Sequence, residues 1–106
     1  MKTIIQTDKY ASWFKSLRDI QAKARIDARI RRAQLGNLGD VEPVGDGVSE
    51  MRIHHGAGYR VYFMQRGEEI IILLAGGDKS TQQKDIKMAL SLAYELKKEV
   101  KAPWPW

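Results

Sequence analysis

The chain has 106 residues, 43% of them hydrophobic, which suits one domain (1–106) with a single core and leaves too little for a second. Its 18 Lys and Arg against 13 Asp and Glu give a net charge of +5, a balance that favours polyanions and leaves nucleic acid, an acidic protein and a membrane surface all open. The absence of cysteine excludes disulfides and thiolate metal sites, two histidines argue weakly for a metal, and no apolar run reaches the ~18 residues of a membrane span, so the expectation is a soluble, cytoplasmic protein without metal or cofactor.

Lys2 to Gln6 reads as a short strand, and Thr7 or Asp8 can cap a helix whose apolar residues Tyr10, Trp13, Phe14 and Leu17 recur at helical spacing. A second helix follows from about Ile20 to Leu35. Its inner face is Ala22, Ile26, Ile30 and Ala33, and Lys23, Arg25, Arg29, Arg31 and Arg32 spread over the remainder until Gly36 stops it. With little more than Asp19 between them, the two helices predict an antiparallel hairpin laid across a sheet.

The stretch "GNLGDVEPVGDG", Gly36 to Gly47, holds four glycines and a proline and reads as a surface loop. Strands are predicted over Val48 to His55, Tyr59 to Gln65 and Glu69 to Ala75, joined by "HGAG" and "RGE" as a meander. The run "IIILLA" is apolar at every position, as in a strand buried on both faces. Ser80-Thr81-Gln82-Gln83 fits a capping box ahead of Ile86, Ala89, Leu90, Ala93 and Leu96, so a helix is predicted to about Lys98, with 99–106 as a tail. The fold class is therefore α+β: an N-terminal strand and helical hairpin on a small, mainly antiparallel sheet (β-α-α-β-β-β), with a C-terminal helix.

The chemistry concentrates in "SEMRIHHGAGYRVYF", Ser49 to Phe63. Alternation sends Met51, Ile53, Tyr59, Val61 and Phe63 to the core and Arg52, His54, Arg60 and Tyr62 to the opposite face, where pairing around the turn brings them within cross-strand reach. Arginine matches phosphate geometry with a fork of donors, histidine titrates near neutrality, and tyrosine can stack on a base. Two cations held so close are costly unless an anion visits. The plainer reading pairs Arg52 and Arg60 with Glu50 or Glu69 and leaves His54, His55, Tyr59 and Tyr62 as ordinary surface and strand residues. "GGDKS", Gly76 to Ser80, adds Lys79 and glycines that permit close backbone approach, but its spacing is not that of a triphosphate-binding loop.

The order of elements, with "SEMRIHHGAGYRVYF" and "LLAGGDKSTQQKDIKMA", resembles the RelE/ParE superfamily of type II toxin-antitoxin toxins, and within it the HigB-like addiction-module killer proteins, over residues 1 to 98. The resemblance implies a toxin with a cognate antitoxin, commonly a helix-turn-helix protein. In the RelE-like branch it implies a metal-independent, ribosome-dependent endoribonuclease acting on mRNA; in the ParE-like branch, an inhibitor of DNA gyrase without nuclease activity. By motif, Arg60, Arg52 and Lys79 match the family's catalytic cations. A tyrosine that some members place at the start of the C-terminal element is missing, its position falling near Asp85, so Asp85 or His54 is expected to move protons. His55, Tyr59, Tyr62, Arg29 and Arg32 are the expected substrate contacts.

Overall fold

A computed structural model describes residues 1–99. Five strands, β1 (Thr3–Gln6), β2 (Val41–Gly45), β3 (Val48–Ile53), β4 (Tyr59–Arg66) and β5 (Ile70–Gly77), form one sheet in the order β1-β5-β4-β3-β2. The helices are α1 (Asp8–Ser16), α2 (Ile20–Gln34) and α3 (Gln82–Glu99). β1 runs parallel to β5, and every other pairing is antiparallel, so the class is α+β with a mixed sheet. The predicted tail, Trp104 and Trp106 included, lies outside the described residues apart from Glu99, which ends α3. Among the described residues no helix is long and apolar enough to cross a membrane.

Helices cover both faces of the sheet, and strand alternation sorts the side chains between two cores. On one face Met51, Ile53, Val61, Phe63, Ile71 and Leu73 pack under Tyr10, Ile26 and Ala33 of α1 and α2. On the other Val48, Tyr62, Met64, Ile72 and Leu74 pack under Ala89 and Ala93 of α3. β5 contributes to both, as its unbroken apolar run predicts.

A bulge in β5 resets this alternation. Tyr62 pairs with Ala75 and Phe63 with Leu73, which leaves Leu74 without a partner and puts Leu74 and Ala75 together on the α3 face. Thr7 serves the irregularity twice: its hydroxyl donates to the Leu74 carbonyl at 2.6 Å and accepts from the Tyr10 amide as the cap of α1. Beyond the bulge Gly76 faces the indole of Trp13, where an added Cβ would stand 2.2 Å from a ring carbon, and Gly77 faces the carboxylate of Asp85. The two glycines that read as an opening for a ligand are filled by the protein's own side chains.

Two further expectations are corrected. The predicted loop from Gly36 to Gly47 contains β2, an edge strand whose Pro43 is tolerated because an edge needs a ladder on one side only. Ser80 does not cap the last helix. Asp78 does so for a short 3₁₀ turn, Lys79–Thr81, that precedes α3, its carboxylate accepting from the Ser80 amide and hydroxyl at 2.8 and 2.5 Å.

Candidate functional site

Arg52 and Arg60 sit directly opposite one another on β3 and β4, an arrangement that is repulsive unless each has its own counter-charge. Arg52 lies on the outer side of the pair and reaches two acids of the β2 region, Asp40 and Glu42, each at 2.7 Å. Arg60 reaches inward, its Nε 3.2 Å from Glu50 Oε1 at an angle that makes an ion pair without a hydrogen bond. Glu50 is only 2% exposed, and it survives there because Tyr62 donates to it at 3.2 Å and Gln82 of α3 at 2.9 Å.

This network corrects the predicted open face. Tyr62 is fully buried between sheet and α3, where burial and the nearby Glu50 push its phenol above the ordinary range, so it is a strut beneath Arg60 and not a substrate contact. Asp85 is also turned away: it accepts from the Thr81 hydroxyl at 2.5 Å against Gly77 and does not line the cleft described next. α3 thus divides one sheet face into a core half and an open half.

The open half is a cleft of about 520 Å³ lined by Asp40, Arg52, His54, His55, Tyr59, Arg60 and Lys79, with Gly56 and Gly58 at the turn between β3 and β4. Both histidines are held by carboxylates. His54, largely exposed, places Nε2 2.5 Å from Asp40 Oδ2, and His55, mostly enclosed, places Nε2 3.2 Å from Asp19 Oδ2. Hydrogen bonds from Arg52 and then His54 hold the Asp40 carboxyl down at about 2, and the Ala22 amide, which Asp19 caps at the start of α2, lowers Asp19 as well. Lys79 packs its stem against Gly58, and its amine has no hydrogen bond or ion pair among the described residues.

Arg29 builds this site without lining the cleft. Its guanidinium donates to the carbonyls of Arg52 at 2.5 Å and of Leu38 and Asp40 at 3.2 Å each, tying the end of α2 to β3 and to the loop that carries Asp40. The approach is close enough that Gly39, at φ +71°, leaves only 2.9 Å between an added Cβ and the Arg29 Nη2. With three of its donors on these carbonyls, Arg29 acts as a clamp between α2, β3 and the loop. Arg32 is exposed on α2, outside the cleft. Among the described residues no three His, Cys, Asp or Glu side chains come together to hold a metal.

Asp40 gives the site an acid limit. Its folded pKa lies below its ordinary value, so its hold on Arg52 and His54 is complete above pH ~4 and is lost as pH falls from about 4 to about 2. NMR of the His54 ring and of the Arg52 Nη2 protons is expected to show both losing Asp40 together across that window, and in an Asp40→Asn variant the step is expected to vanish.

Two partners of the site carry no local sequence signal, since Asp40 and Asp19 lie 14 and 36 residues from the histidines they hold, whereas Glu50 is a partner that the plainer reading of Arg60 offers. A model of the phage-derived Gp49-like family (DUF891) matches residues 12–98. The chain belongs to the Gp49-like family. That is a family of toxin-antitoxin toxins within the RelE/ParE-like superfamily, so an antitoxin partner is implied. The chain is also similar to an uncharacterized protein of Haemophilus influenzae, 52% identical over 96 residues that cover 91% of this chain and 94% of the relative.

Proposed function

We propose that this Gp49-like toxin is a metal-independent endoribonuclease that cuts mRNA, as in the RelE-like branch, with the ribosome supplying much of the positioning. The observation that carries this reading is the cleft in which two carboxylate-held imidazoles meet Arg60 and Lys79. In the reaction the 2′-oxygen of one ribose attacks its own 3′-phosphate while the 5′-oxygen of the next nucleotide leaves. The products are a 2′,3′-cyclic phosphate and a 5′-hydroxyl. His54, oriented by Asp40, takes the proton from the 2′-hydroxyl; His55, on Asp19, returns one to the departing 5′-oxygen. Arg60 and Lys79 meet the charge that grows on the phosphorane, and Tyr59 is placed to contact a base. Arg52 acts mainly by holding Asp40. The HigB-like assignment and a helix-turn-helix antitoxin belong to this proposal.

The test is expression of the chain in growing bacteria with transcript ends mapped. Wild type is expected to arrest growth and to leave 2′,3′-cyclic phosphate and 5′-hydroxyl ends; His54→Ala is expected to cut less, by on the order of 10²-fold or more, the usual range for a lost general base. Arrest with intact transcripts and with inhibited supercoiling by purified gyrase would replace this reading with the ParE-like one, which needs no paired histidines.

A further inference from the structure

A second, smaller cavity of about 220 Å³ adjoins the cleft. Arg25, Ala28, Arg29 and Arg32 of α2 line it, together with Ile53 and His54, and the last two also line the cleft, so His54 is a wall common to both. Arg25, Ala28, Arg29 and Arg32 stand three or four residues apart and so share one helix face. Arg25 and Arg32 are exposed, and among the described residues neither makes an ion pair or a hydrogen bond through its side chain. Asp40, whose charge acts on Arg29, is committed to Arg52 and His54, and Arg29 to three carbonyls. Ala28 keeps the floor between the arginines low. Three guanidinium groups around a small hollow, two of them without a counter-charge, make a receptor for a single compact anion.

We infer that this hollow binds a backbone phosphate of the RNA strand next to the one being cut, with Arg25 and Arg32 as its ligands and Arg29 as its fixed wall. The inference rests on the proposed nuclease reading for the identity of the polyanion. An RNA strand that passes over His54 carries its neighbouring phosphate towards α2, and a strand confined to the cleft does not reach it. Arg25 and Arg32 are therefore binding residues for long substrates and spectators for the shortest.

The experiment compares binding of the full chain to a ribo-hexanucleotide and to a dinucleotide, each with a 2′-deoxyribose at the scissile position, as salt is raised from about 50 to 200 mM. For the hexanucleotide, Arg25→Gln with Arg32→Gln is expected to weaken binding and to make the fall of log affinity with log salt shallower by about 0.7, the share of one phosphate on a single strand. For the dinucleotide the double variant is expected to match wild type. Equal slopes for wild type and the double variant, wild type binding the hexanucleotide no tighter than the dinucleotide, or no binding of either RNA would each overturn the subsite. Cleavage is scored separately, from transcript ends in growing bacteria that express the chain, where the ribosome is present. Arginine-dependent binding without cleavage supports the subsite and rejects the nuclease, and cleavage without the slope change does the reverse.

Discussion

Replacing Arg60 with alanine is expected to abolish most RNA cleavage, by on the order of 10²-fold or more, the effect of losing one donor aimed at developing negative charge. The same change is expected to lower stability, because it leaves the Glu50 carboxylate buried with only Tyr62 and Gln82 for partners. Breaking a buried pair by removing one member costs roughly 3–5 kcal/mol, and the imperfect angle between Arg60 and Glu50 places this case at the lower end. The two effects are separable. Glu50→Gln removes the buried charge and keeps an oxygen to accept from Tyr62 and Gln82, so Arg60→Ala with Glu50→Gln is expected to recover much of the melting temperature of Arg60→Ala and none of its cleavage. If activity returned with stability, Arg60 would be a structural residue and the chemistry would have to lie with the histidines and Lys79 alone.

That dependence on Glu50 marks the limit of what alternation can reveal. Period two correctly placed Arg52, Arg60 and Tyr62 on one face of the β3–β4 hairpin, because side-chain direction is a local property of a strand. It could not reveal that α3 covers one half of that face, since the docking of a helix thirty residues onward depends on both surfaces. Tyr62, which alternation sends to the open face, is therefore fully buried. β2 escaped for a related reason: glycine and proline weaken strand signals in general, yet an edge strand paired on one side accommodates both. α1, α2 and the three strands of the meander were legible because their apolar periodicity is strong and each lies against a core. The carboxylates that hold the histidines were not. Asp19 is recognisable as a helix cap, but nothing in its neighbourhood points to His55, and Asp40 meets His54 from a loop whose carbonyls Arg29 of α2 holds.

Gly76→Ala is expected to destabilise the protein by about 1–3 kcal/mol, the usual cost of overpacking a filled site, and so to lower the melting temperature by on the order of 10 °C in a domain of this size. The reason is steric. Gly76 has no positive φ that an alanine would strain, but three atoms of the Trp13 indole lie 2.2–2.5 Å from the place its Cβ would take. The indole cannot slide away freely, because its ring centroid lies 5.7 Å from that of Tyr10, itself buried in the core. α1 must then lift or β5 must shift, and β5 leads straight through Gly77 and Asp78 to Lys79 at the cleft. Trp13→Leu alone is expected to cost stability through lost burial. Combined with Gly76→Ala it is expected to cost less than the sum of the two, by a coupling of about 0.5 kcal/mol or more, as neighbours in contact show. Strict additivity in thermal melts would mean that the glycine is required for some property of the strand other than room for the indole.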